Sequence, residues 1–267
     1  MSKPNLISVR GVSLEVQHIL PTPASLPAAQ KPVCVFLHEG LGSIALWKNW
    51  PQEVCNSLGC EGWVYSRRGY GQSDSNLEAR TTGRLGADYM HREALEVLPD
   101  LLKTLGVTRP LLLGHSDGGT IALIHASQHP VAGCVVMAPH VMVEDVSVQA
   151  IAQARDNFDK LRPRLAAFHK DVDGAFWQWN DVWLSDAFSS FDIRPLLQQI
   201  QAPLLAIQGV DDPYGTLAQI DDIAQHAPQT QLVKLAHCGH SPHKDQPEAV
   251  LQALKYFSSS LGKIQRH

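Results

Sequence analysis

The chain has 267 residues, which is long enough for one large domain with a well-buried core. Apolar residues make up 44% of the sequence and charged residues 18%, as in ordinary globular proteins. The net charge of -4, without any block of lysine and arginine, argues against a nucleic-acid-binding protein and favours a small-molecule partner.

The cysteines and the N-terminal residues predict the cellular compartment. Five cysteines are scattered along the chain without a CxxC pair or a metal-type cluster, so we expect reduced thiols. The N-terminal residues lack the apolar core of a signal peptide, and no run of about 18 apolar residues predicts a membrane span. We therefore expect a cytoplasmic protein without a membrane partner.

Hydrophobic patterning predicts strands and helices that alternate along most of the chain. Short apolar runs are typical of strands that are buried on both faces of a parallel sheet, and apolar residues three or four apart indicate helices. In chain order we predict two strands within residues 6–16 joined at Gly11, a proline-rich loop at 21–32, strands at 33–37 and 63–65, a helix at 88–105, a strand at 111–113, a helix at 118–129, strands at 135–138 and 204–207, a helix at 217–227, a strand at 231–235 and a helix at 247–261.

One interval breaks this alternation. Residues 140–195 show no strand pattern, but they contain helical spacing and many aromatic side chains. Strands that alternate with helices form a mostly parallel sheet with helices on both faces, which is an α/β fold. We predict that residues 1–139 and 196–267 form this core and that residues 140–195 form a helical insertion.

The strongest local signal is Gly114-His-Ser-Asp-Gly118, which follows a predicted buried strand and precedes a predicted helix. A Gly-x-Ser-x-Gly sequence in this position is typical of a nucleophile elbow, whose glycines permit a tight turn. The turn raises the serine above the sheet, next to the helix N-terminus, where free N–H groups favour developing negative charge. Ser116 is therefore the predicted nucleophile.

A serine hydroxyl is a poor nucleophile unless a base accepts its proton. His240 lies between the last predicted strand and the last predicted helix, on a loop that can reach back over the strand ends to Ser116. We predict that His240 is this base. His237 and His243 lie near it in the sequence and remain alternatives.

The base in turn needs a carboxylate that orients its ring and stabilises the imidazolium. Asp212 follows the predicted strand at 204–207 and is the predicted acid, with Asp211 as the alternative. The chain order Ser116, Asp212, His240 is that of α/β-hydrolases and differs from the trypsin-like and subtilisin-like orders.

The sequence resembles the α/β-hydrolase superfamily over nearly its whole length. The resemblance rests on four motifs in the expected order, which are His38-Glu-Gly-Leu-Gly, Arg68-Gly-Tyr-Gly-Gln-Ser73, Gly114-His-Ser-Asp-Gly118 and Gly239-His240. The closest likeness is to lid-bearing bacterial esterases, lactonases and carbon–carbon-bond hydrolases. It implies an eight-stranded sheet, a helical cap at 140–195 between strands six and seven, and neither a metal nor an organic cofactor.

The transition state also needs hydrogen-bond donors for its oxyanion. The backbone N–H of Asp117 is one predicted donor, and the resemblance implies that Gly40 supplies the second. Glu39 and Asp117 depart from the family pattern, because relatives often have glycine at the first position and an apolar residue or glutamine at the second. Either one of these carboxylates pairs with Arg67 or Arg68, or both point away and are solvated.

Most aromatic side chains of the insertion are expected to form the cap's own core, while one or two line a substrate pocket. A pocket wall of flat apolar rings favours an acyl chain or a ring. The candidate pocket residues are His38, Glu39, Trp47, His140, Trp177 and Trp183.

The predicted function is that of a serine hydrolase that cleaves a small, largely apolar ester, thioester or lactone through an acyl-enzyme. A serine nucleophile disfavours haloalkane dehalogenases and epoxide hydrolases, which attack with aspartate. Two alternatives stay open: a carbon–carbon-bond hydrolase of ring-cleavage products, and a ligand receptor of the same fold. We expect either a monomer or a homodimer.

Overall fold

Eight strands form one sheet in the computed structural model, which describes residues 2–22 and 31–264. The strands are β1 (Asn5–Val9), β2 (Val12–Ile19), β3 (Cys34–Leu37), β4 (Gly62–Ser66), β5 (Leu111–His115), β6 (Gly133–Met137), β7 (Leu204–Gly209) and β8 (Thr230–Leu235). Their order across the sheet is β1-β2-β4-β3-β5-β6-β7-β8. Only the β1–β2 and β2–β4 pairs of this described sheet are antiparallel. The predicted mostly parallel, eight-stranded sheet is confirmed.

The helices cover both faces of this sheet. The described α-helices are α1 (Ile44–Trp47), α2 (Trp50–Leu58), α3 (Tyr89–Arg92), α4 (Leu98–Leu105), α5 (Asp117–Gln128), α6 (Asp145–Asp156), α7 (Phe158–Leu165), α8 (Val172–Trp183), α9 (Arg194–Leu197), α10 (Ala218–His226), α11 (Pro242–Asp245) and α12 (Pro247–Ile264). A π-helical segment spans Glu93–Val97, and a short 3-10 helix spans Asp186–Phe188.

The core lies on the two faces of the sheet, and the strands at its centre are buried throughout. Every residue of β5 and β6 is buried. Successive side chains of β5 point to opposite faces, so Leu112 packs in the core cluster that contains α5, while Leu111 and Leu113 pack with α2 and α12. This burial on both faces explains why the sequence shows continuous apolar runs instead of alternation.

Helix α2 was not among the predicted elements, although its sequence carries the usual signals. Its buried side chains include Trp50, Val54 and Leu58, which are four residues apart and therefore share one face. Pro51 lies in the first turn, and Gly59, with a φ of 62°, ends the helix in the left-handed region. The sequence of residues 50–59 thus contains the signals of a helix and of both of its ends.

The predicted helix at 88–105 forms, but it contains the π-helical segment between α3 and α4. The wider turn changes the hydrogen bonding of the backbone. The side chain of His125 on α5 donates from Nδ1 to the carbonyl of Ala94 in this segment, at 2.8 Å. The bond holds the segment against the helix that follows Ser116.

Helices α6 to α8 and the 3-10 helix lie between β6 and β7, within the interval 140–195. An isolated bridge between Met142 and Asp192 joins the two ends of this interval. The aromatic side chains contact one another, as Phe176 does with Phe158 at a centroid distance of 4.3 Å. The division into a core of 1–139 and 196–267 and a cap of 140–195 stays a prediction. Residues 23–30 of the predicted loop lie outside the described residues.

Candidate active site

The sequence motifs meet at one edge of the sheet. His38, Ser116 and Asp212 follow the carboxyl ends of β3, β5 and β7, and His240 lies on the loop between β8 and α11. Because these strands are parallel, the loops that follow them lie along the same edge. Open α/β sheets bind their ligands at this edge.

Ser116 lies in a sharp turn between β5 and α5. Its backbone has a φ of 52° and a ψ of -121°, a strained conformation for a residue with a side chain. A Cβ atom on Gly114 would lie 2.2 Å from the carbonyl oxygen of Gly118, and one on Gly118 would lie 2.0 Å from that of Leu37. The two glycines of the motif are therefore required by close backbone contacts.

Ser116, His240 and Asp212 form a hydrogen-bonded series. His240 Nε2 lies 3.0 Å from Ser116 Oγ, and His240 Nδ1 lies 2.9 Å from both carboxylate oxygens of Asp212. The Asp212 side chain is fully buried. It also accepts hydrogen bonds from Gln208 Nε2 and from the backbone N–H of Tyr214, both at 2.8 Å.

The alternative residues lie elsewhere. Asp211 is exposed, and its backbone N–H donates to the carbonyl of Cys238. His237 is exposed as well. His243 is buried against Trp47, with ring centroids 4.8 Å apart. The structure thus brings Ser116, Asp212 and His240 together and leaves these alternatives outside the hydrogen-bonded series.

Arg67 holds the loop after β3 through two backbone carbonyls. Its Nη1 donates to the carbonyl of His38 at 2.6 Å, and its Nη2 donates to that of Glu39 at 3.0 Å. In a trans peptide the N–H points opposite to the carbonyl, so the N–H of Gly40 points away from Arg67. Within residues 2–22 and 31–264, the N–H groups of Gly40 and Asp117 donate to no other protein group.

Trp179 of α8 packs closely on Gly40. A Cβ atom at Gly40 would lie 2.2 Å from the indole Nε1 of Trp179. The indole is buried, so it could not move aside easily. Glycine at this position therefore allows the insertion to close over the loop.

The carboxylate of Asp117 is buried beside Arg67. Its Oδ2 accepts from the Tyr89 hydroxyl at 2.6 Å and lies 3.9 Å from Arg67 Nη2. Burial raises the pKa of Asp117, and the nearby Arg67 opposes that rise. The Tyr89 hydroxyl in turn accepts from Trp183 Nε1 at 2.9 Å. The sequence left open whether a carboxylate pairs with an arginine or both carboxylates are solvated. The structure shows that Asp117 pairs with Arg67.

Glu39 pairs with different residues. Its Oε2 accepts a hydrogen bond from His115 Nδ1, and its Oε1 lies 3.5 Å from Lys244 Nζ. Burial alone would raise the pKa of Glu39, but His115 and Lys244 hold it well below its ordinary value. His115 also donates from Nε2 to the backbone carbonyl of His240, at 2.6 Å. One side chain therefore connects the loop after β3 to the loop that carries His240.

The candidate pocket residues lie in several different places. His140 and Trp183 lie beside the hydrogen-bonded series, because the His140 ring is 4.9 Å from the Trp183 ring and 5.8 Å from that of His240. Burial lowers the pKa of His140 to about 3, so its ring is neutral. By contrast, Trp177 stacks under the guanidinium of Arg80 at 4.1 Å.

His38 and Trp47 lie behind the loop after β3. His38 accepts from the N–H of Arg67 at Nε2 and donates from Nδ1 to the carbonyl of Glu39. Burial, and next the charge of Arg67, holds the pKa of His38 well below its ordinary value. The Trp47 ring contacts His243 and His115. His38 thus supports the loop from the protein interior, and Trp47 packs against the two histidines.

A cavity of about 390 Å³ lies next to this site, on the other side of Arg67 and Tyr89. Its wall includes Tyr70, Leu85 and Gln178, and Ser116 is not part of the described lining. The reacting groups meet at Ser116 and not in this cavity.

Sequence reasoning missed several residues that shape the site. Tyr89, His115 and Trp179 were not singled out as site residues, although each contacts one that was. His115 occupies the first variable position of the Gly-x-Ser-x-Gly motif. Its place directly before the predicted nucleophile was a signal that it lies near the site. The partners of Tyr89 and Trp179 depend on the folded chain, so the sequence carried no comparable signal for them.

This fold and site define the class of protein. The chain belongs to the alpha/beta hydrolase family, whose profile matches residues 34–253. It is 28% identical to the human protein named serine hydrolase BPHL over 194 residues, which cover 67% of this chain and 63% of that one. The chain thus spans less than two thirds of that relative.

Further comparisons agree with this family. The chain is 26% identical to esterase YbfF of Escherichia coli (strain K12) over 182 residues, covering 60% of this chain and 71% of that one. The crystal structure of the enol-lactonase from Burkholderia xenovorans LB400 superposes with a TM-score of 0.72 and 18% identity, covering 96% of this chain and all of the other. The structural likeness shows the fold, and the family and esterase relatives support a hydrolase.

Within the described residues, no helix combines the length and the apolar character that crossing a bilayer requires.

Proposed function

We propose that the protein is a serine hydrolase that cleaves a small, largely apolar carboxylic ester, thioester or lactone. The observation that carries this proposal is the series Ser116–His240–Asp212, in which a hydroxyl, an imidazole and a buried carboxylate are joined by hydrogen bonds of 2.9 to 3.0 Å. This arrangement is the one that activates a serine for attack on a carbonyl carbon.

In the first half of the reaction, Ser116 Oγ attacks the substrate carbonyl while His240 Nε2 accepts the serine proton. Asp212 holds the other ring nitrogen and stabilises the imidazolium that forms. His240 then gives the proton to the leaving group, and an acyl-enzyme remains. In the second half, His240 removes a proton from water, whose oxygen attacks the acyl carbon. The bond to Ser116 Oγ then breaks as His240 returns the proton to that oxygen, and the acid product leaves.

The backbone N–H groups of Gly40 and Asp117 supply the donors for the oxyanion in this proposal. Support comes from the orientation of the Gly40 peptide, which Arg67 fixes through the Glu39 carbonyl at 3.0 Å. Donors that are already oriented need no rearrangement when the negative charge develops. The indoles of Trp179 and Trp183 lie close to these groups and favour an apolar substrate.

The proposal is tested by replacing the nucleophile. In Ser116→Ala, hydrolysis of short p-nitrophenyl esters is expected to fall at least about a thousandfold, since residues of a triad act as a unit. Labelling by a fluorophosphonate probe is expected to disappear, while circular dichroism shows an unchanged fold. Ser190→Ala, at an exposed serine, is the matched control and keeps both activity and labelling.

Two outcomes would contradict the proposal. If Ser116→Ala retained full activity or labelling, the nucleophile would be another group. If the folded wild type were neither labelled nor active on esters, thioesters and lactones, the chain would be a receptor. Cleavage of a coloured ring-cleavage product without any esterase activity would favour a carbon–carbon-bond hydrolase.

A further inference from the structure

Three side chains with metal-ligand chemistry converge behind the loop after β3. Glu39 lies in that loop, His115 ends β5, and His243 lies in α11. A carboxylate oxygen of Glu39 and one ring nitrogen from each histidine all lie within 4.8 Å of one another. Zinc binds nitrogen and oxygen donors at about 2.0–2.2 Å, so movements of about 1 Å would bring all three onto one ion.

His243 is the observation that points to a ligand. Its side chain is only 4% exposed, yet neither Nδ1 nor Nε2 has a hydrogen-bond partner among the described residues. A buried polar group without a partner is costly and calls for an explanation. The ring lies 4.9 Å from that of His115. An ion bound between the two rings would satisfy one of its nitrogens.

His115 is already oriented as metal-binding histidines are. Such a histidine almost always donates its other ring N–H to a carboxylate or a backbone carbonyl, which fixes the ring and the tautomer. Here Nε2 donates to the carbonyl of His240 at 2.6 Å, which orients the ring so that Nδ1 points at Glu39. Without an ion, Nδ1 donates to the Glu39 carboxylate, so binding of an ion at Nδ1 would replace this hydrogen bond and release its proton to solvent.

The ammonium group of Lys244 lies close to this cluster. Lys244 Nζ is 3.5 Å from Glu39 Oε1, whereas the opposite oxygen, Oε2, faces His115. The Lys244 side chain is 38% exposed and can turn into solvent. Because a partly exposed ion pair of this kind contributes little stability, its loss would not prevent an ion from binding.

We propose that Glu39, His115 and His243 bind one divalent first-row transition-metal ion of the zinc type. Two imidazoles and one carboxylate suit Zn²⁺, Co²⁺ or Ni²⁺, whereas Mg²⁺ and Ca²⁺ require a shell of oxygen ligands. The ion connects the loop after β3, the end of β5 and α11. It uses no side chain of the Ser116–His240–Asp212 series, so it stabilises the loops and takes no part in the bond-breaking steps.

The test is a titration of chelator-treated protein with ZnCl₂ in a calorimeter, and with CoCl₂ in an absorption spectrometer. We expect one ion per chain, visible cobalt bands, and a thermal unfolding midpoint raised by about 2–4 °C. His243→Ala is expected to weaken zinc binding at least about tenfold, as does Glu39→Gln. The matched control is His237→Ala, an exposed histidine close to His243 in sequence, which binds zinc as the wild type does.

Each contrary result would overturn the proposal. Equal zinc binding by the wild type, His243→Ala and Glu39→Gln would show that exposed histidines hold the ion. No binding and no thermal shift at millimolar zinc would show that Glu39 and His115 form only an ion pair. If His243→Ala failed to fold, Glu39→Gln alone would decide between these results. A thermal shift of the same size with MgCl₂ would also contradict the proposed site.

Discussion

Arg67 is the residue that joins the two halves of the proposed oxyanion site. It donates to the carbonyls of His38 and Glu39 and lies 3.9 Å from the carboxylate of Asp117. The planar guanidinium can make these contacts together because its donors form a rigid fork. Lysine carries the same charge but cannot reproduce this geometry.

Arg67→Lys is therefore expected to lower kcat about 10- to 100-fold with a smaller change in KM. The physical reason is that the Gly40 peptide loses its fixed orientation, and one donor to an oxyanion is worth about 100- to 1000-fold in kcat. Steady-state kinetics on a p-nitrophenyl ester provide the measurement. Arg68→Lys, at the exposed neighbour, is the control. Wild-type kinetics in Arg67→Lys would show that the loop needs no such support.

For single residues, the sequence predicted those that belong to local motifs. It did not predict which distant side chains they contact. Gly114, Ser116 and Gly118 occur in one short segment, so the sequence alone predicted that they form the turn that carries the nucleophile. The bond between Glu39 and His115 depends on the pairing of β3 with β5, in which Leu37 lies opposite Gly114. That pairing joins segments more than 70 residues apart, and no local pattern encodes it.

At the scale of elements, the π-helical segment is hydrogen-bonded to a histidine of α5. His125 donates from Nδ1 to the carbonyl of Ala94, and its ring is stacked on that of His129 with centroids 4.6 Å apart. Burial lowers the pKa of His125 to about 4. The neutral ring is thus the form that the folded protein keeps.

This burial makes stability depend on pH. Between pH 6.5 and about 4 the unfolded chain protonates His125 while the folded protein does not, so the free energy of unfolding falls as the pH falls. The largest possible loss from this group is about 3 kcal/mol. His125→Gln keeps a donor for the Ala94 carbonyl but removes the titration.

His125→Gln is expected to lose less stability than the wild type between pH 6.5 and pH 4.5. Urea denaturation at several pH values measures the difference. Above pH 7.5 the histidine is neutral in both states, so the stability difference there is constant and serves as the internal control. Parallel curves for the two proteins across the whole range would contradict this expectation.

The elements themselves were largely predictable. Apolar runs identified the buried strands, and helical spacing identified α5, α10 and α12 within a few residues of their ends. The π-helical segment was not predictable, because the spacing of Leu98, Leu101 and Leu102 fits an ordinary helix. Within this segment the backbone hydrogen bonds shift from the α-helical to the π-helical pattern. Such a shift goes with tertiary contacts, here the bond from His125 to the Ala94 carbonyl, which the local sequence does not show.

At the scale of the whole molecule, one side chain of the insertion joins it to two loops of the sheet. His169 lies between α7 and α8, accepts from the N–H of Gly71 at Nδ1, and donates from Nε2 to the carbonyl of Leu41. Both bonds measure 3.0 Å. Gly71 follows β4, and Leu41 follows the proposed oxyanion donor, so this contact couples the insertion to the site.

His169→Leu is expected to destabilise the protein by about 1–3 kcal/mol, because it leaves a buried N–H and a carbonyl without partners. Hydrogen–deuterium exchange is expected to speed up at Gly71 and along α7 and α8. Lys160→Leu, at an exposed position of α7, is the matched control with a small effect. Unchanged exchange in His169→Leu would mean that the other contacts of the insertion, such as the bond from Gln178 to the Arg68 carbonyl, hold it without His169.

The π-helical segment has a consequence for deletions in this helix. Removing one residue between Glu93 and Val97 would replace the wide turn by an ordinary one, so that α3 and α4 join as a regular α-helix. Because the wide turn takes up the extra residue, Tyr89 would keep its place beside Asp117. The same deletion within α4 would instead rotate the preceding residues of the helix by about 100°.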